Sequence, residues 1–205
     1  YAWLISRKGC KMNFSECVQT VLAMLKRPDK IVVAEAAVNA ALSRAILRTE
    51  FPQDLVETSI PIDSTKYDQT IDLSALVSPL TRFRKWKYIK QPGQLAYLQP
   101  IPPDKIFSPG RFVQQDCYYM AGSNLTIIPT VTSATLEVGY YSYAPALKNN
   151  ETFWLLDVCP YAIIYLACAI CFESIGDMQA AGANEKNGIN LLRTLEPDMQ
   201  YGHSV

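Results

Sequence analysis

The chain reads as an α+β protein in which two helix pairs, one near each end of the sequence, form a bundle that carries an inserted antiparallel β-sandwich or small barrel. Three observations predict this. Apolar residues recur at helical spacing before Pro52 and again after Thr152. Between these regions proline stands at 61, 79, 92, 100, 102, 103, 109, 129 and 145, which rules out long helices because proline lacks a backbone N–H and clashes with the preceding turn. The stretches between those prolines are short and rich in β-branched and aromatic residues. The expected boundaries are residues 1–52 and 147–197 for the bundle, 53–146 for the β insertion, and 198–205 for an extended C-terminal tail.

The first helix is signalled by Asn13 or Ser15 as a cap, by the apolar series Cys17, Val18, Val21, Leu22 and Leu25, and by Pro28 beyond its end. A second follows from Asp29, with Val33, Ala37, Ala40, Ala41, Ile46 and Leu47 facing inward, until Pro52 stops it. Its many alanines allow a neighbouring helix to approach closely. The β runs expected next are 56–60, 69–73, 83–89, 94–98, 117–120, 125–128 and 135–143, with Ala121-Gly122-Ser123-Asn124 as a hairpin turn. After Asn149-Asn150-Glu151-Thr152 the chain returns to helix. Trp154 to Ile175 is strongly apolar, with Pro160 either kinking it or marking its true first turn. Gly176-Asp177 breaks it, and a more polar helix runs to Leu195 before Pro197.

The chain has 205 residues, 49 % of them apolar and 19 % charged, enough to bury a sizeable core without metals or disulfides. Nineteen basic residues balance nineteen acidic ones, so no overall field favours nucleic acid or a membrane surface. Neutrality also gives little colloidal repulsion, which suits a protein that lives in an assembly. Cys17, Cys159, Cys168 and Cys171 fall within apolar helical stretches, where a free thiol behaves as a small hydrophobe. Cys168 and Cys171 have CxxC spacing, yet no second pair or nearby His completes a zinc site. The apolar run 161–172 is too short for the ~20 residues a bilayer span needs, so a buried helix is expected there.

Catalysis requires convergent nucleophiles, bases or metal ligands. The one histidine, His203, lies in the tail, and the nine glycines are scattered singly, so no loop is suited to cradle a phosphate. No enzyme activity, cofactor or metal is expected. One segment stands out: Arg82-Phe83-Arg84-Lys85-Trp86-Lys87-Tyr88-Ile89-Lys90 interleaves five cations with aromatic and apolar residues. Strict alternation would place Arg82, Arg84, Trp86, Tyr88 and Lys90 on one face. Such a face suits a subunit interface or, in a different functional class, nucleic-acid binding through stacking and phosphate contacts. Gly139-Tyr140-Tyr141-Ser142-Tyr143 places tyrosines on both faces of another strand, also in keeping with an interface.

The second half carries a resemblance. Tyr118-Tyr119-Met120-Ala121-Gly122-Ser123-Asn124-Leu125-Thr126-Ile127-Ile128-Pro129 is similar to a hairpin found in the head-to-tail adaptor (connector) proteins of tailed bacteriophages. The strand 134–143 with its Pro145-Ala146-Leu147 exit, the helix entry Asn149 to Leu156, the segment Cys159-Pro160-Tyr161 through Cys171, and the Gly176-Asp177 step follow in that family's order. Ala34 to Asn39 and Leu80 to Ile89 match upstream, so the resemblance covers most of residues 14–196.

What the resemblance implies is a virion protein of the neck, assembled in the host cytoplasm as a dodecameric ring between the portal protein and the tail or nozzle protein. Double-stranded DNA would pass non-specifically through its lumen. It further implies that the tail, through Tyr201, His203 and Val205, contacts the portal, and that Arg82, Arg84, Trp86, Lys87 and Tyr88 serve an interface or the channel wall. The competing expectations are another neck or tail-completion protein and a nucleic-acid-binding accessory protein using residues 82–90.

Overall fold

The computed structural model describes residues 11–63, 65–66, 69–76, 80–102, 116–128 and 133–195. The chain divides into two compact units, one from residues 1–53 and 143–205, the other from 54–142. Helices and antiparallel sheets are both present, so the α+β class holds.

The helical unit contains α1 (Phe14–Leu25), α2 (Ile31–Arg48), α3 (Trp154–Val158), α4 (Pro160–Ser174) and α5 (Met178–Arg193). Asn13 caps α1 through its side chain, which accepts from the Glu16 N–H at 2.9 Å, while the Glu16 carboxylate accepts from the Asn13 N–H, a reciprocal box that satisfies two orphan donors. α2 buries Ala34, Ala37, Ala41 and Ala45 with Val38, Leu42 and Ile46, the small side chains lying where helices pack closely. Asn39 accepts from the Leu147 N–H at 2.8 Å and donates to the Leu147 carbonyl at 3.1 Å, pinning the segment after the β unit to α2. Pro160 does not kink one long helix. It opens α4, and Cys159, with φ −146° and ψ 63°, separates it from the short α3.

α4 is the centre of the helical core, with Ala162, Ile163, Ile164, Leu166, Ala167 and Cys168 almost wholly buried. α5, capped by the Asp177 side chain on the Ala180 N–H, approaches it closely at Gly188. A Cβ there would fall 2.8 Å from Leu166 Cγ and 3.0 Å from the Ala162 carbonyl oxygen. Cys17 and Cys168 are buried free thiols whose desolvation pushes both up to about 12, so they serve as packing groups. Among the described residues no helix is long and apolar enough to cross a membrane.

Among the described residues the β unit holds two sheets. β1 (Leu55–Pro61), β7 (Thr135–Ser142) and β3 (Phe83–Lys90) form one, antiparallel, with β7 in the middle. β2 (Gln69–Asp72), β6 (Asn124–Ile128), β5 (Cys117–Ala121) and β4 (Gln99–Pro100) form the other, in which β4 and β5 run parallel. Ile60, Ile89, Leu136 and Val138 from the first sheet meet Leu125 and Ile127 from the second in one apolar core. Gly122, with φ +63°, turns β5 into β6. The strand expected at 94–98 is absent: Tyr97 makes only an isolated bridge to Lys90, and the regular pairing falls on Gln99 and Pro100. Pro92 and Gly93 explain this, because they turn the chain sharply after β3 and leave few residues to pair.

Candidate functional site

The basic segment forms β3, an edge strand paired along one side with β7. Its register slips twice, between Phe83 and Lys85 and between Trp86 and Tyr88, so strict alternation fails. Each bulge inserts a residue and re-aims its neighbours. The expected common face of Arg82, Arg84, Trp86, Tyr88 and Lys90 is therefore not formed. Arg82 precedes the strand, in a turn with φ +53°. Trp86 packs on the core side with Phe83 (ring centroids 4.6 Å) and Tyr140 (6.2 Å), leaning on the apolar cluster beneath the sheet. Its indole Nε1 is buried without a hydrogen-bond partner.

Tyr88 lies on the other face and crosses β7. Gly139 makes this possible: a Cβ at that position would fall 2.5 Å from Tyr88 Cε1. Lying over the glycine, the ring stacks on Tyr97 at 5.3 Å, and its hydroxyl donates to the Glu57 carboxylate on β1, so one side chain staples all three strands. That hydrogen bond to Glu57, with desolvation, pushes the phenol up to about 12. Nearby, Lys90 pairs with Glu137 at 2.8 Å, and the contact raises the Lys90 ammonium above its ordinary range.

The remaining cations gather at the opposite end of the face. Arg84 Cζ, Lys85 Nζ and Lys87 Nζ lie 5.4, 5.7 and 5.8 Å from the centroid of the Tyr141 ring, within cation–π range. The bulges bring Arg84 and Lys87 to the side already held by Lys85. Glu57 and Glu137 are engaged elsewhere, by Tyr88 and Lys90. Arg82 and Lys87 are exposed and make no ion pair among the described residues. The result is a positive edge of exposed Arg82, Lys85 and Lys87, with half-buried Arg84 beside them over the buried Tyr141 ring, an arrangement suited to an anionic surface.

The tyrosines of β7 behave differently from the interface expectation. Tyr140 and Tyr141 are only 2 % and 5 % exposed and stabilise the sheet, whereas Tyr143, just beyond the strand, is open. Tyr201, His203 and Val205 lie outside the described residues. Among the described residues no group of His, Cys, Asp and Glu is placed to hold a metal ion. Sequence reasoning read Gly139 to Tyr143 as an interface strand and gave Gly139 and Tyr141 no packing role; a lone glycine in a strand rich in β-branched and aromatic residues was the available signal, since such a glycine marks close approach of another group.

No curated protein matches the chain. The family model described as SU10 adaptor protein matches residues 12–201, nearly the whole sequence, and spans both units and the basic strand. The chain belongs to the SU10 adaptor protein family, a phage adaptor family.

Proposed function

We propose that this chain is a ring-forming head-to-tail adaptor that sits between the portal and the tail or nozzle protein, with double-stranded DNA passing non-specifically through the ring. The near-complete family match over residues 12–201 carries the reading. The absence of any expected catalytic constellation in the sequence agrees with a structural role.

Within this reading the patch on β3 serves a subunit interface or the channel wall. The duty falls on Arg82, Arg84, Lys85 and Lys87, because Trp86 packs toward the core and Tyr88 spends its hydroxyl on Glu57. The tail 198–205, with Tyr201, His203 and Val205, is the portal contact. Pro197 ends helical propagation, so the residues beyond it are suited to add main-chain hydrogen bonds and one aromatic anchor to a partner. The test removes residues 198–205 and measures portal capture alongside thermal unfolding. Retained stability with lost capture is expected. Portal binding at wild-type affinity would remove the tail from the contact.

Variants of the patch separate this reading from the accessory-protein reading. Replacement of Arg82 and Lys87 by Glu is expected to weaken assembly on the portal. If assembly is untouched while tight binding to one particular DNA sequence is lost, the nucleic-acid-binding function replaces the adaptor role.

A further inference from the structure

The helical unit exposes large apolar side chains at both ends of α4. At the C-terminal end α2 begins with Ile31-Val32-Val33, where Val32 is 73 % exposed; Ile175, on the turn between α4 and α5, and Met178, the first residue of α5, are 65 % and 68 % exposed. β-branched residues gain nothing as exposed starters of a helix, and α2 has no side-chain cap. Beside them is a notch of about 210 Å³ whose walls include Leu25, Val33, Phe172 and Ile175, with Arg27 and Lys30 on its lining. These two cations share one carboxylate, Asp29, at 2.9 and 4.0 Å, so the rim stays positive.

At the other end of α4, about 20 Å away along the helix axis, the elbow between α3 and α4 presents Val158 and Tyr161, 51 % and 46 % exposed. Cys159 and Pro160 break the helix there, so the two side chains stand at a corner between α3 and α4. Asp157 stands next to Val158, accepts from the Thr152 hydroxyl at 3.2 Å, and makes no ion pair among the described residues.

We propose that the chain self-associates head to tail through these two surfaces: the Val158–Tyr161 elbow of one copy seats in the apolar notch of the next, with Asp157 facing Arg27 and Lys30. The proposal rests on the ring-forming reading and names the contact that would build the ring. Exposed apolar side chains meet an apolar notch, and the flanking charges are opposite. Two different surfaces on one body make the contact heterologous, so each copy engages two neighbours and the chain closes into a ring if the rotation permits. A self-complementary contact would stop at a dimer.

The experiment uses the full chain in two variants at exposed positions. Ile175→Glu sets a carboxylate against Asp157 of the neighbour, and Val158→Lys sets an ammonium against Arg27 and Lys30. Met178→Glu and Tyr161→Lys form a second pair, and circular dichroism with thermal melting confirms that each variant folds. Sedimentation and native mass spectrometry, with and without portal, read the assembly. Each variant alone is expected to lose the ring and run as a monomer. Mixed together, they retain one intact elbow and one intact notch, and are expected to regain association, first as a one-to-one heterodimer. Rings that survive in both variants overturn the contact while leaving the adaptor reading intact, as does a mixture that stays monomeric or an elbow variant that still self-associates. A wild-type chain that never oligomerises, even with portal, overturns both.

Discussion

The two units solve the problem of close packing in opposite ways. In the helical unit small residues let whole helices approach: the alanines of α2 and Gly188 of α5 leave room that the large side chains of α4 fill. In the β unit a single glycine lets one side chain approach, as Gly139 admits the Tyr88 ring across the central strand. The first arrangement buries a deep apolar core and, among the described residues, exposes large apolar side chains at or near the ends of the helices. The second leaves one sheet face wet, charged and aromatic. The difference teaches where each unit tolerates change: the helical unit is sensitive along its length and open at its ends, while the β unit is open across a face held by a few polar contacts.

The largest effects should come from the helical core. Replacing Leu166, which is 1 % exposed, or the fully buried Ile164 with Ala should destabilise the protein by about 2–5 kcal/mol, since removed methyl groups leave a cavity that packed helices cannot fill. Denaturant unfolding measures this, and a loss below 1 kcal/mol would show that α4 is not the centre of the core. Adding a side chain at Gly188 attacks the same region from the other direction. Gly188→Val should cost about 1–3 kcal/mol through overpacking against Leu166 and the Ala162 carbonyl.

Much of the helical unit was legible in the sequence because its signals are local. The Asn13–Glu16 box, Pro160 in the first turn of α4 and Asp177 ahead of α5 are short-range chemistry that needs no knowledge of the fold. The β unit was legible in its strands and its hairpin turn, but not in the detail of its face. Whether Trp86 or Tyr88 points to the core depends on the bulges at Arg84 and Lys87, and these are set by pairing with β7, more than forty residues distant. The buried position of Tyr140 and Tyr141 likewise follows from the central place of β7 between β1 and β3, which composition does not encode. The same long-range origin hid the Tyr141 platform.

Smaller effects probe the polar face and the caps. Gly139→Ala should displace Tyr88 and release its hydroxyl from Glu57, a loss of about 1–3 kcal/mol by overpacking. Alkaline titration followed by tyrosinate absorbance reads the staple directly. The Tyr88 phenol, held up to about 12, should ionise late, and Tyr88→Phe should remove one late step. Because its folded value is raised, the stabilisation it gives is complete below the ordinary phenol range near pH 10 and is lost as the pH rises toward 12. Asn13→Ala should cost about 1 kcal/mol by opening the cap of α1. Cys17 and Cys168 should resist a thiol reagent at neutral pH until the helical unit opens; prompt labelling of either in the native protein would contradict their place in the core.

The central claim, that the chain is a ring-forming adaptor of the phage neck, is met most directly by measuring the mass and image of the complex formed when the purified chain is mixed with its portal. Light scattering and electron microscopy of that mixture should show a closed ring of this chain stacked coaxially on one face of the portal, with an open lumen. A chain that stays monomeric and never co-migrates with portal, or a ring found elsewhere in the particle, would contradict the account.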